Sequence, residues 1–211
     1  MERQFQSQSS DVLLISIPKS GTAWLKALMF ALINRKNYPI NQSHPLLTSN
    51  PHHGFGISVA AAFDTFPARV TTQVSAEIRV QDCLFVQKHQ GHFGIIFWIT
   101  GKKPHKVLFV KYEDVKEEPA LYLKRIAEFI GCPISPEEET SGLIDEILRL
   151  CSFDSLRNLE VNKTGKWMMI ENQHFIPKAE VGDWKNHLTN EMALQPDQIT
   201  STKFEGSGFI L

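Results

Sequence analysis

The stretch VLLISIPKSGTAWLKALMFALIN, residues 12–34, decides the fold. An apolar run of strand length, residues 12–17, is broken by the segment 18–22, and a helical pattern of apolar residues follows. This pattern predicts a strand, a tight turn and a helix. Because such a turn aims several main-chain N–H groups and the positive end of the helix dipole at one point, it also predicts an anion site.

The residues of the turn suit phosphate or sulfate. A lysine adds a full positive charge, and two hydroxyl groups add hydrogen-bond donors. The tryptophan one residue into the helix could stack on a nucleotide base, with a place in the core as the alternative. An ordinary strand-to-helix connection with a solvated lysine is the alternative for the turn as a whole. The candidate donor-binding residues here, of which the lysine is also the candidate catalytic residue, are Lys19, Ser20, Gly21, Thr22, Ala23 and Trp24.

The order of residues in the turn argues against a Walker A loop. That loop places glycines ahead of its lysine, whereas here Lys19 precedes Gly21 and no glycine lies before Pro18. A P-loop kinase or NTPase is therefore the less favoured alternative.

Composition predicts one soluble domain over residues 1–211. The chain is 42% hydrophobic and carries 22 basic against 23 acidic residues, so it offers no broad field for nucleic acid or an anionic membrane. Residues 1–11 lack the apolar core of a signal peptide and are expected to be disordered, and the apolar helix over 24–33 is too short to cross a membrane. Three scattered cysteines suit a reducing compartment. These features together predict a cytoplasmic protein.

The helix after the turn is apolar on nearly every side, which predicts that the strand over 12–17 is central and parallel in an α/β sheet. Residues 38–66 have a loop composition with short helical pieces. Residues 107–110 predict a second strand, and Pro119 and Gly131 predict the start and end of a helix. A further helix is predicted from about Glu138 to Leu150, with acidic residues at its positive end that act as capping charges.

The segment PKSGTAW, residues 18–24, resembles the 5′-phosphosulfate-binding loop of the cytosolic sulfotransferases, which use 3′-phosphoadenosine 5′-phosphosulfate (PAPS) as sulfonate donor. Further resemblance to plant members of that family lies in LLTSNPHH at 46–53, KVLFVKYEDVKEEP at 106–119, the segment 151–165 and VGDWKNHLT at 181–189. The resemblance implies a PAPS-dependent transferase that needs no metal.

The same resemblance implies roles for residues outside the turn. Tyr112 lies at the position that is close to the adenine of the donor, and Ser152 and Phe153 lie where the family lines its adenine pocket. Taken alone, Tyr112 could merely cover the sheet edge and Phe153 could belong to the core. Lys178 is the one cation kept from a segment that binds the 3′-phosphate.

Several family residues are replaced. The nearest match to the Thr-His pair that holds the catalytic base ends in Gln73, which has no titratable proton near neutral pH. No Arg-Asn-Pro segment is found, and Pro177 and Ala179 occupy an arginine and a glycine position. Arg69 and Arg79 are weak candidates to replace the arginine of the missing segment, and His89 and His92 are weak candidates to replace the catalytic base.

The fold class that follows is α/β, with a central parallel sheet flanked by helices. It is a P-loop-like sulfotransferase fold with part of the middle missing, including a central strand. The expected activity is sulfonate transfer from PAPS to a hydroxyl of a small metabolite, weak or lost because half of the site is replaced. The alternative is an inactive PAPS-binding or interaction remnant. The acceptor and the oligomeric state do not follow from the sequence.

Overall fold

The computed structural model describes residues 12–16, 21–40, 43–52, 59–61, 82–87, 107–167 and 169–176, together with residues 186, 189–192, 194, 198, 202 and 205. The sequence predictions at Lys19, Ser20, Lys178 and Gln73, and those at residues 1–11, lie outside these residues.

Within the described residues the main sheet has four parallel strands. In chain order they are β1 (Val12–Ser16), β2 (Val59–Ala61), β3 (Asp82–Gln87) and β4 (Val107–Lys111), and their order in space is β2-β1-β3-β4. The chain therefore leaves β1 toward one side and returns to its other side. Such a reversal of direction opens a crevice at the carboxyl ends of the two inner strands, where α/β proteins bind ligands.

The prediction of a central, parallel first strand is confirmed, because β1 pairs with β2 on one side and β3 on the other. Helix α1 (Thr22–Ile33) follows it and buries nearly all of its surface, as its apolar sequence predicts. It packs against two later helices, which form part of the layer that covers it. The first turn of α1 is thereby fixed beside the carboxyl end of β1.

The sheet position beside β1 is filled, so the expectation of a lost central strand is wrong for the described residues. β3 pairs along its length with both β1 and β4, with Leu84 opposite both Leu14 and Leu108. Neither β3 nor β2 is predicted from the sequence. β3 carries the four-residue apolar run expected of a strand covered on both faces, whereas β2 is only three residues long and lies within a loop-like composition.

Two helices follow β4, namely α2 (Tyr112–Glu117) and α3 (Pro119–Phe129). The predicted boundaries of α3 are confirmed: Pro119 lies at its first position, and Gly131 adopts a φ of 74° just after its end. The N–H of Cys132 donates to the carbonyl of Ala127 at 2.9 Å, which closes a Schellman motif.

The single helix predicted from about Glu138 to Leu150 is two helices, α4 (Pro136–Thr140) and α5 (Leu143–Leu150). The break lies at Gly142, whose φ of 80° cannot continue a helix. The predicted capping role of the acidic residues is confirmed at Glu138, which forms a capping box with Ser135.

The rest of the described chain consists of short elements. Helices α6 (Phe153–Asn158) and α7 (Glu160–Lys163) precede a small hairpin of β5 (Lys166–Trp167) and β6 (Ile170–Glu171), and a 3₁₀ turn covers Asn172–Phe175. A further 3₁₀ turn, Pro45–Leu47, lies in the segment predicted as loop with short helical pieces. No helix in the described ranges has both the length and the apolar character that a membrane span requires.

Candidate functional site

The candidate site lies where β1 and β4 end, at the carboxyl edge of the sheet. Gly21 precedes α1 and Tyr112 directly follows β4, with β3 between the two strands. Despite that separation the two residues touch: a Cβ atom built on Gly21 would lie 2.7 Å from Cε2 and 2.8 Å from Cδ2 of Tyr112. The backbone of Gly21 also has a φ of 90°, which side-chain-bearing residues rarely adopt. Both constraints require glycine at this position.

Trp24 and Tyr112 form the aromatic wall of the site. Their ring centroids are 5.6 Å apart with an interplanar angle of 74°, an edge-to-face contact. Tyr112 is only 4% exposed, and burial, followed by the negative charge of Glu113, raises the pKa of its phenol above the usual value. The phenol therefore stays neutral at physiological pH. Its ring holds the Gly21 turn and the first turn of α1 against the end of β4.

The first turn of α1 presents main-chain donors beside this wall. The amide of Leu25 donates to the carbonyl of Gly21 at 3.0 Å, which is the first hydrogen bond of the helix. Gly21 has no side chain that could cap the helix amides that precede Leu25. The first amides of a helix have no acceptor within it, and the helix dipole adds positive potential at the same end. Thr22 and Ala23 begin the helix here, so the predicted residues from Gly21 to Trp24 are brought together at one helix end.

A lysine that the sequence does not single out lies close to this wall. The ammonium of Lys116, in α2, lies 5.9 Å from the ring centroid of Trp24, within the range of a cation–π contact. Because Lys116 follows Tyr112 by four residues, one turn of α2 separates them and both face α1. The sequence signal was this spacing, which becomes informative only when α2 is known to start at Tyr112.

Ser152 and Phe153 have partners at their own end of α6. The hydroxyl of Ser152 accepts from the amide of Ser155 at 3.1 Å and caps the helix. Phe153 is half-buried against the core, and the guanidinium carbon of Arg157 lies 5.7 Å from its ring. These contacts account for both residues structurally, and their place in an adenine pocket stays a prediction.

The described residues contain no group of three or more His, Cys, Asp or Glu side chains placed to hold a metal ion. One buried histidine has a local role: Nδ1 of His44 accepts from the amide of Leu46 at 3.2 Å, so its proton is on Nε2, for which the described residues offer no acceptor. Burial lowers the pKa of this imidazole, which stays neutral in the core.

Sequence relatives identify the family. A sulfotransferase domain model matches residues 9–81 and 94–208. Cytosolic sulfotransferase 6 of Arabidopsis thaliana is 36% identical over 271 residues, which cover 98% of this chain and 82% of that protein. Flavonol 4′-sulfotransferase of Flaveria chlorifolia is 33% identical over 269 residues, covering 100% of this chain and 84% of that protein.

Solved sulfotransferase structures have the same fold as this chain. The crystal structure of a putative steroid sulphotransferase from Arabidopsis thaliana is 26% identical, has a TM-score of 0.64 and covers 99% of this chain and 81% of that one. Mouse sulfotransferase SULT7A1 complexed with PAP, at 16% identity and a TM-score of 0.61, shares the fold.

The same alignments show that the chain is shorter than its relatives in its interior. They run over 269–271 positions although the chain has only 211 residues, so the relatives carry interior residues without a counterpart here. The shortened chain still has β1, Gly21 and the first turn of α1, and it has β4 with Tyr112. The chain belongs to the sulfotransferase family, and it is a shortened member similar to the cytosolic sulfotransferases of plants.

Proposed function

We propose that this protein binds PAPS with its 5′-phosphosulfate at the N-terminus of α1 and transfers the sulfonate group to a hydroxyl of a small metabolite. The observation that supports the proposal is the packing of Gly21 and Trp24 on Tyr112, which holds the first turn of α1, the proposed anion cradle, against the end of β4. Lys19 and Ser20 complete the cradle in the proposal, because they directly precede Gly21 in the sequence.

Each part of the site has a separate task in this reaction. When bound, the donor supplies the sulfonate, whose bond to the bridging phosphate oxygen breaks as a bond to the acceptor oxygen forms. The helix amides and Lys19 stabilise the charge that builds on the bridging oxygen. Trp24, Tyr112 and Phe153 hold the adenine, Ser152 lines its pocket, and Lys178 binds the 3′-phosphate. The acceptor proton passes to water, because Gln73 stands where the resemblance implies a histidine.

Turnover is expected to be slow. A positioned general base contributes about 10²–10⁴-fold to a rate, and a glutamine at that place contributes none of this. A protein that binds the nucleotide without turnover is the second candidate, and the Gln73 replacement is the observation that favours it.

The remaining assignments belong to the same proposal. Two relatives carry the words cytosolic and flavonol in their names, and we extend a cytoplasmic location and a small hydroxylated acceptor to this chain on that basis. Residues 1–211 act as one domain, without a nucleic-acid or membrane partner.

Calorimetric titration with adenosine 3′,5′-bisphosphate (PAP), the product of the donor, tests the site. We expect the wild-type protein to bind it and Lys19→Ala to weaken binding at least tenfold, since a charge-assisted bond to phosphate is lost. The control is Lys163→Ala at the end of α7, an exposed lysine whose loss leaves the affinity unchanged. Equal affinities of the wild type and Lys19→Ala would show that the site is misplaced.

Transfer of labelled sulfonate from PAPS to a panel of flavonols and steroids separates the two candidates. Measurable transfer by the wild type, raised by Gln73→His, supports the enzyme. Tight binding of the product without transfer by either protein supports the binding remnant.

A further inference from the structure

Lys26 is a buried lysine in the second turn of α1. It is 7% exposed, and its sequence neighbours Leu25 and Ala27 are fully buried. Burial lowers the pKa of its ammonium, and no nearby charge contributes to that change. Taking a charged group out of water is costly unless an opposite charge or a hydrogen bond compensates it.

Nothing in the described residues compensates Lys26. The ion pairs there join Arg35 to Glu138, Lys124 to Glu139 and His174 to Glu171, and none involves Lys26. No side-chain hydrogen bond of Lys26 is found within the described ranges either. A cation so placed in a helix that is otherwise apolar needs a compensating anion, and none of the described residues supplies one to Lys26.

Helix geometry indicates where that anion lies. Lys26 follows Thr22 by four residues, so the two share one face of α1, about 6 Å apart along its axis. Long side chains in a helix lean toward its N-terminus and cover the preceding turn. The flexible stem of Lys26 is long enough to cover this distance, so its ammonium can reach the first turn, where the helix amides favour an anion.

We propose that Lys26 is a second cation of the anion site at the N-terminus of α1, and that it pairs with the phosphosulfate or 5′-phosphate group bound there. This inference rests on the proposed function and adds to it a residue from the second turn of α1. It also accounts for a lysine at a buried position where the packing of α1 would accept a leucine or methionine.

The test compares three variants with the wild type by calorimetry. Lys26→Met keeps an unbranched side chain of similar length and removes the charge, Lys26→Arg keeps the charge, and Lys163→Met is the matched exposed control. We expect Lys26→Met to bind PAP at least tenfold more weakly, Lys26→Arg to restore much of the affinity, and Lys163→Met to match the wild type.

Two further measurements separate ligand binding from folding. Adenosine 3′-monophosphate lacks the 5′-phosphate, so Lys26→Met should bind it as the wild type does. Without ligand, Lys26→Met should melt at the same temperature as the wild type or higher, because a buried unpaired charge is gone. Unchanged PAP affinity in Lys26→Met, or an equal loss for both nucleotides, would overturn the proposal. If the wild type and Lys19→Ala bind PAP equally, the proposed function itself fails, and this inference fails with it.

Discussion

Gly21 and Tyr112 lie on either side of β3, yet the glycine backbone rests directly on the tyrosine ring. The contact joins the end of the turn after β1 to the start of α2, and it sets the distance between two segments that carry the family resemblance. A single substitution at Gly21 tests this contact directly.

Replacing Gly21 with alanine should lower the free energy of unfolding by about 2–4 kcal/mol, because the methyl group meets the Tyr112 ring and the backbone has a positive φ. Urea denaturation measures the change. Gly142→Ala is the matched control, since Gly142 has a φ of 80° but no atom near the added Cβ, and it should cost about 1 kcal/mol. Equal losses of stability in Gly21→Ala and Gly142→Ala would mean that the Tyr112 ring moves aside to make room for the added methyl group.

A double-mutant cycle sharpens this result. In a Tyr112→Ala background the ring is absent, so Gly21→Ala should cost no more than Gly142→Ala does. A loss as large as in the wild-type background would place the strain in the backbone alone.

Replacing Trp24 with alanine should weaken PAP binding roughly 5- to 100-fold, the loss expected when a base loses an aromatic stacking partner. Calorimetry gives the affinity. Tyr38→Ala serves as control, because Tyr38 stacks on Phe30 near the opposite end of α1. If the two variants bind alike, Trp24 only supports the fold through its contact with Tyr112.

Replacing Ser152 with alanine should lower the free energy of unfolding by about 1 kcal/mol, because the amide of Ser155 loses its cap. Urea denaturation measures this loss, and Ser141→Ala, which removes an exposed hydroxyl after α4, should change it by less than 0.5 kcal/mol. PAP affinity in the same variant tests the second role: an unchanged value would show that Ser152 is a cap and has no part in the adenine pocket.

The ion pair of Arg35 and Glu138 should make stability fall in acid. Arg35 donates to both carboxylate oxygens of Glu138, at 2.8 and 3.1 Å. The hydrogen bond from Arg35, then that from the amide of Ser135, holds the pKa of Glu138 below its usual 4.5. A lowered pKa in the folded protein stabilises it above about pH 4.5, and this contribution is lost as the pH falls through the folded value.

Urea denaturation at pH 7 and pH 4 measures that loss. Arg35→Met should cost roughly 1–3 kcal/mol at pH 7 and reduce the difference between the two pH values. Lys124→Met is the control, because Lys124 and Glu139 are both more than one-third exposed and their pair should contribute little. A pH dependence that persists unchanged in Arg35→Met would assign the acid sensitivity to other carboxyl groups.

The sequence predicts the elements whose signals are local and strong. β1 and α1 follow from an apolar run, a glycine turn and an apolar helix, and the limits of α3 follow from Pro119 and Gly131. The break at Gly142 was missed because acidic and apolar residues keep a helical pattern on both sides of it. β2 was missed because its strand character comes from main-chain pairing with β1, which no side-chain pattern records.

In the candidate site, too, some residues could be predicted from the sequence and others only from the fold. Gly21, Trp24 and Tyr112 could be proposed from motifs, but their mutual contact depends on the place of β4 two strands away from β1. Lys116 and Lys26 were not proposed, since a lysine on a helix is usually solvated. Lys116 gains a role only from its contact with Trp24, and Lys26 only from its burial in α1.

The position of β3 has a consequence for how this chain tolerates its shortened interior. Residues 82–87 fall between the two segments that match the family model, yet they bridge β1 and β4 with an unbroken ladder. Main-chain hydrogen bonds do not depend on the identity of side chains, so an apolar segment of suitable length can pair with both neighbours even where its sequence departs from the family model. Backbone pairing through β3 is thus what keeps Gly21 and Tyr112 within contact distance, whatever side chains the intervening strand carries.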